Sequence, residues 1–211
     1  MSRILVVLDV DSTLIEQEAI ELLADEAGSG ERVAAVTARA MTGNVDFSQS
    51  LRDRVGTLAG LDTGVFDRVA PHITLTRGAQ SLVAGVHAVG GRVAAVSGGF
   101  HELLDPIAGT LMLDAHRANR LEVSGGRLTG RTRGTVIDAS AKRDALIEWA
   151  DLFQIPLQRT VVIGDGANDL AMMGAAGLSI AFDAKPVVRQ HADLVLPDRD
   201  LSAVLAVLGL R

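Results

Sequence analysis

Two aspartates, Asp9 and Asp11, close the stretch VVLDVDSTL, and two more, Asp165 and Asp169, stand in GDGANDLAM. The first pair follows ILVVL (residues 4–8), a run that reads as a strand buried on both faces. A carboxylate at the end of such a strand carries a large desolvation cost unless a metal, a cation or an open cleft relieves it. A single aspartate there also serves as a turn former or helix cap. If the two apolar runs are neighbouring parallel strands, all four carboxylates meet at one sheet edge, a concentration of like charge that turn formation alone does not explain. A divalent cation with oxygen ligands resolves the conflict, and Mg2+ fits best. A third strand end, VAAVSGGF, offers Ser97 followed by Gly98 and Gly99, a hydroxyl and exposed backbone N–H groups that can cradle an anion. Lys142, in SAKRDAL, supplies positive charge, and on charge alone Arg143 serves as well.

The elements that must position these groups follow from hydrophobic patterning. Strands ending in turn residues are expected at 92–100, 160–168, 178–182 and 193–197, alternating with helical stretches near 78–89, 101–109, 140–153, 168–176 and 200–208. This alternation predicts an α/β fold with a doubly wound parallel sheet. LEVSGGRLTG (121–130) reads instead as an antiparallel hairpin at a sheet edge. Residues 14–72 break the alternation. They open with a helix whose stripe is Ile15, Ala19, Leu22, Leu23 and Ala27, and continue with helical patterns and no strand. Glu26 falls inside that stripe, and the periodicity gives no account of it. The expected organisation is therefore a core of residues 1–13 and 73–211 with a helical cap at 14–72. A cap lodged after the first strand lies over the carboxyl ends of the strands, where ligands of such sheets bind.

Composition narrows the classes of function. A chain of 211 residues is long enough for one core with a modest insertion. There is no cysteine, which removes disulfides, thiolate catalysis and thiolate metal sites. The net charge of -6 and the lack of a basic block speak against nucleic acid or an anionic membrane as partner. With 3% aromatic residues, base-stacking platforms are not expected. No apolar run reaches the roughly 18 residues of a membrane span, and the first strand begins without signal-peptide organisation. A cytoplasmic location and a small-molecule partner are expected, with the chain a monomer or homodimer.

The ordered set DVDSTL, VSGGF, Lys142 and GDGANDLAM resembles the four-motif signature of haloacid dehalogenase-type phosphohydrolases. EQEAIELLA, DFSQSLRDRV, ANRL, GRLTG and AFDAKP, in this order and spacing, make the chain similar to the branch of that family that hydrolyses O-phospho-L-serine. The likeness runs from about residue 4 to 209 and includes no additional N-terminal regulatory domain, so regulation through one is not expected.

The resemblance implies a phosphoric monoester hydrolase releasing L-serine, the last step of serine biosynthesis. Asp9 is then the nucleophile that forms an aspartyl-phosphate, and Asp11 the general acid and later base. Mg2+ is implied on the carboxylates of Asp9 and Asp165 and the backbone carbonyl of Asp11, with Asp169 supporting that shell. Ser97, Gly98, Lys142 and Asn168 hold the phosphoryl group. Glu18 faces the substrate ammonium and Arg54 its carboxylate, a task suited to a planar guanidinium; Met41 and Phe47 wall the pocket. Arg52 lies close enough in sequence to compete with Arg54 for this role. Transfer of the phosphoryl group to an alcohol such as homoserine, or hydrolysis of another small monoester, uses the same nucleophile and metal and stays open. A receiver-like phosphoacceptor module shares the acidic strand ends but has no use for Asp11 as acid and base or for a cap.

Overall fold

A computed structural model of the chain describes residues 3–40 and 46–210. Strands β1 (Leu5–Leu8), β2 (Arg92–Phe100), β3 (Ala115–Ser124), β4 (Arg127–Arg133), β5 (Thr160–Gly164), β6 (Leu178–Phe182) and β7 (Leu194–Leu196) form one sheet in the order β4-β3-β2-β1-β5-β6-β7. All pairings are parallel except β3 with β4, the hairpin expected at the edge. The two-residue periodicity of LVVL divides β1 between two cores. Val6 and Leu8 pack with Val86 of α5 (Ala79–Ala88), Leu104 of α6 (His101–Leu111) and Val204 of α10 (Ala203–Val207). Leu5 and Val7 pack with Leu146 and Trp149 of α7 (Ala139–Leu152), Met172 of α8 (Leu170–Met173) and Val188 of α9 (Pro186–Arg189). β1 is central because the chain passes first to β2 on one side and later to β5 on the other. Its carboxyl end is thus the switch point of the sheet, where a crevice opens.

Between β1 and α5 lie α1 (Ala19–Glu26), α2 (Gly30–Ala40), α3 (Phe47–Gly56) and α4 (Val65–Val69). The segment is helical, as the sequence predicts, but its start differs. Ile15 lies outside α1 and forms an isolated bridge with Leu75, flanked by Glu16 N–H to Thr74 O at 2.9 Å and Thr76 N–H to Leu14 O at 2.9 Å. Residues 14–16 and 74–76 therefore make a two-stranded stem from which the helices emerge. Its extended backbone overrides the helical periodicity, and Glu18 becomes the cap position of α1. Glu26 is exposed and pairs with Arg68 at 2.6 Å.

The helical insertion shares its apolar core with the rest of the chain. Leu23, Leu51, Val55, Leu58 and Val69 cluster with Phe100, Leu103, Leu121 and Leu128. Gly60 N–H donates to Leu128 O at 2.9 Å and Leu128 N–H to Leu61 O at 2.8 Å, so the β3–β4 hairpin is fastened to the underside of the helices.

Candidate active site

Asp9, the residue immediately after β1, is held in place from both sides: its N–H donates to Ile163 O of β5 at 2.9 Å, and its Oδ1 accepts the Val10 N–H at 2.7 Å. Residues Val10–Leu14 turn tightly, with Ser12 in the left-handed region at φ 57°. The segment is therefore kinked rather than continuously extended. Asp11 Oδ1 accepts the Ala19 N–H at 2.7 Å and its Oδ2 accepts the Ser97 hydroxyl at 2.8 Å. Parallel pairing of the two strands predicts four carboxylates together; the structure assembles three. Oxygens of Asp9, Asp165 and Asp169 lie within 4.8 Å of one another, while the Asp11 carboxylate faces the Ser97 loop.

Asp165 and Asp169 reach the cluster through a turn built on close packing. Asp169 Oδ2 accepts the N–H groups of Asp165 and Gly166, each at 3.2 Å. A Cβ at Gly164 would stand 2.3 Å from that oxygen, so only glycine fits there. The Thr13 hydroxyl donates to Asp165 Oδ1 at 3.3 Å. Lys142 is fully buried, with Nζ 2.7 Å from Asp9 Oδ1 and 2.8 Å from Asp169 Oδ1. Asp138, capping α7 through the Ala141 N–H at 2.9 Å, anchors the turn from which Lys142 projects. Arg143 is exposed and pairs with its neighbour Asp144.

Electrostatics show how this cluster is balanced. Burial, and then the charge of Asp169, push Asp9 well above the usual carboxylate range against the pull of Lys142. Burial and Asp169 raise Asp165 to about 7, with Lys185 and Lys142 opposing. Burial alone would lower the Lys142 ammonium, but Asp169 and Asp9 more than offset it and raise it. One ammonium among three buried carboxylates leaves the cluster short of positive charge. Its all-oxygen donor set suits a hard divalent cation.

Above the cluster, the helical insertion closes a pocket lined by Asp9, Asp11, Glu18, Phe47, Arg54 and Asn168, with Ile20, Leu51, Gly98 and Gly99 completing it. Glu18 accepts the Ser12 hydroxyl at 2.8 Å; burial first and the neighbouring Asp11 second raise it to about 8. Arg54 is 4% exposed and anchored by Ser50 O at 3.2 Å and the Thr37 hydroxyl at 3.1 Å. Burial lowers its guanidinium, and Glu18, Asp11 and Glu21 oppose that. Arg52 is exposed and hydrogen-bonded to Gln49. The ring of Phe47 would lie 2.7 Å from a Cβ at position 98, so Gly98 allows the insertion to close on the loop. Asn168 Oδ1 is buried at the pocket wall and has no hydrogen-bond partner among the described residues. Met41 lies outside the described residues.

The haloacid dehalogenase-like hydrolase family model matches residues 6–174, a span that includes every residue lining the pocket and the Asp9, Asp165, Asp169 and Lys142 cluster. The chain belongs to this family. Among curated hydrolases, a phosphoserine phosphatase of Lactococcus lactis is 49% identical over 95% of this chain and 93% of its own length. A phosphoserine phosphatase of Mycobacterium tuberculosis is 47% identical over 98% of this chain, which spans 50% of that longer relative. Of solved structures, a phospho-aspartyl intermediate analogue of phosphoserine phosphatase superposes with a TM-score of 0.95 at 41% identity, covering 98% of this chain and 99% of the other. A substrate-bound phosphoserine phosphatase complex gives a TM-score of 0.95 at 40% identity with the same coverage.

Two residues of this hydrolase enter the site without a role in the sequence reading. Asn119, buried in β3, donates from Nδ2 to Gly98 O at 2.8 Å and accepts the Ile137 N–H at 2.9 Å, fixing the peptide that follows Ser97. Arg199 donates to Ser12 O at 3.3 Å and pairs with Asp183, bracing the turn after Asp9. Asn119 stands in ANRL, one of the segments that carry the family resemblance, but its role depends on strand register; Arg199 has no such signal, because its contact with Ser12 crosses nearly the whole chain.

Proposed function

We propose that this hydrolase releases phosphate from O-phospho-L-serine through an aspartyl-phosphate, with residues 14–72 acting as the cap that reads the substrate. The observation that carries the reading is the charge layout of one small pocket. Asp9 and Asp11 lie at its floor, and a carboxylate, Glu18, shares its lining with a buried guanidinium, Arg54. That pair matches the ammonium and carboxylate of an amino acid, opposite charges that a simple sugar phosphate or aryl phosphate does not present together. The names of the relatives from Lactococcus lactis and Mycobacterium tuberculosis support the same substrate.

In this reading an Asp9 carboxylate oxygen attacks phosphorus, a P–O bond to Asp9 forms, and the P–O bond to the serine oxygen breaks. Asp11 gives its proton to that departing oxygen, then takes one from the water that cleaves the acyl phosphate. Ser97, which hydrogen-bonds Asp11, Gly98, Lys142 and Asn168 orient the phosphoryl oxygens and meet the charge that develops on them. Asp9, Asp165 and the backbone carbonyl of Asp11 would hold Mg2+, with Asp169 fixing their arrangement. The ion supplies further positive charge against the phosphoryl oxygens when bound. The cap excludes water from the first step. Among the described residues no helix is long and apolar enough to cross a membrane, in keeping with the cytoplasmic location we propose.

The test is phosphate release in Mg2+ from O-phospho-L-serine, phosphothreonine, sugar phosphates and an aryl phosphate, each with and without homoserine. A kcat/KM for phosphoserine at least ~100-fold above the others, about 2.7 kcal/mol of transition-state discrimination, is expected. A flat profile, or phosphoryl transfer to homoserine outrunning release, would retain the nucleophile and overturn the substrate.

A further inference from the structure

The phosphate loop is a break in the sheet. Val96 pairs with Arg117 and Phe100 with Asn119, so Ser97, Gly98 and Gly99 bulge out opposite the single residue Ala118. A loop that has left its ladder needs other bonds to keep its shape, because buried backbone groups require partners. Asn119 takes up the Gly98 carbonyl. On the other side of the bulge the Ala118 N–H donates to Nε2 of His101 at 3.1 Å. His101 is the first residue of α6, immediately after the loop, and its Nδ1 lies 2.6 Å from Asp105 Oδ1, one turn further on. Asp105 Oδ1 is also 2.9 Å from Nε2 of His116 on β3.

A backbone N–H can only donate, so Nε2 of His101 must present its lone pair and the ring proton must sit on Nδ1, donated to Asp105. This excludes the other reading of the group. His101, Asp105 and His116 are close enough together to suggest a metal centre. A metal on Nδ1 would leave the proton on Nε2, opposing a second donor at Ala118. The cluster is a hydrogen-bond relay from Asp105 through His101 to the strand that clamps the loop. Burial pushes Asp105 up, but the bonds to His101 and His116 more than offset it and hold the carboxylate below its ordinary value.

We infer that His101 is a positioning residue for phosphoryl binding: it ties Ala118 of β3 to the end of the Ser97–Gly99 bulge and so fixes the loop that receives the phosphoryl group. It touches no substrate. The inference rests on the proposed role of that loop. Asparagine at position 101 keeps a donor near Asp105 but has no acceptor at the Nε2 position, whereas glutamine places an acceptor there.

The experiment combines a long-range 1H–15N spectrum of the full chain with kinetics of H101N and H101Q. The spectrum should show His101 protonated on Nδ1 only; a proton on Nε2 would overturn the inference. Losing one neutral hydrogen bond should raise KM for phosphoserine, KM for an aryl phosphate and the inhibition constant of inorganic phosphate together in H101N, by about five- to tenfold, with kcat per folded enzyme within about twofold. H101Q should stay within about twofold of the parent. A purely structural role would lower the amount of active enzyme and leave all three constants alone; that result, or equal damage in both variants, sinks the proposal. If the unsubstituted enzyme released phosphate from no monoester, the active-site reading would fall and take this inference with it. Normal turnover with unaltered H101N constants would remove the inference alone.

Discussion

Lys142 shows how much of the site is one residue's electrostatics. Its ammonium is the buried cation that touches both Asp9 and Asp169. Removing one partner of a buried ionic group costs about 3–5 kcal/mol, far more than a surface pair contributes. Lys142→Met should therefore lower stability by about that amount at pH 8, measured by urea unfolding without divalent ions. Asp9 is already held above its ordinary value in the presence of Lys142. Without the lysine it rises further, and protonation relieves it, so the gap to the parent should narrow as pH falls toward 5. An equal gap at both pH values would remove the carboxylates as its cause. Glu18 works in the opposite sense. Its folded value of about 8 lies above the 4.5 of a free side chain, so the protonated acid is the form the fold favours. That stability is complete below pH 4.5 and is lost as pH rises through about 8. Glu18→Gln should thus be neutral near pH 5 and stabilising by on the order of 1–2 kcal/mol near pH 8.5 in ligand-free protein. A destabilised variant at high pH would mean that the carboxylate has a partner beyond Ser12.

At the scale of elements, α3 carries the wall and the charge that face the pocket from the cap. Phe47, Leu51 and Arg54 recur at helical spacing along it, and Asp46 caps it through the Gln49 N–H at 2.7 Å. Arg54 lines the pocket, held by α3's own Ser50 carbonyl and by Thr37 of α2, and in the proposed reading it receives the substrate carboxylate. Arg54→Ala should raise KM for O-phospho-L-serine by about 10–100-fold, the worth of a charge-assisted hydrogen bond, and leave an aryl phosphate nearly unaffected. Equal loss on both substrates would assign the arginine to the chemistry or the fold. Elements were legible where they are buried on both faces: the run at 4–8, the segments at 92–100 and 178–182, and the alternation that makes the sheet parallel. They were least legible at the stem of the insertion, where Ile15 continues a helical stripe on paper but bridges to Leu75. Periodicity sees only neighbours along the chain, and that bridge spans the whole insertion.

For the molecule as a whole, the placement of one cation against three carboxylates makes folding, metal and pH a single linked system. Chelation should stop turnover and Mg2+ restore it. Mg2+ should also raise the melting temperature, by an amount that shrinks as pH falls below about 7, because protons compete for Asp165. A melting temperature indifferent to Mg2+ at pH 8 would count against the ion. The cap is not an independent body in this arrangement. Its apolar core includes Phe100 and Leu103 behind the phosphate loop and Leu121 and Leu128 of the hairpin. Any opening of the pocket must therefore slide or tilt the helices against surfaces they remain packed on.

By itself the sequence determined the chemistry on offer and the layer architecture. Residue types at strand ends are local facts, and burial on both faces of a strand is written in its own residues. It also separated an inserted helical segment from the alternating core. Charge alone left neighbours of equal type open and the family resemblance named Lys142 and Arg54; the tertiary structure adds the physical difference, with Lys142 buried against Asp9 and Asp169 while Arg143 lies in solvent, and Arg54 buried while Arg52 is not. It alone turned Asp11 away from the carboxylate cluster, gave Glu26 its partner Arg68, and brought Asn119 and His101 behind the loop at Ser97. The physical reason is the same in each case. Charge and hydrogen bonding act over a few ångströms of space, and which groups share those ångströms is set by strand register and packing between residues far apart in the chain.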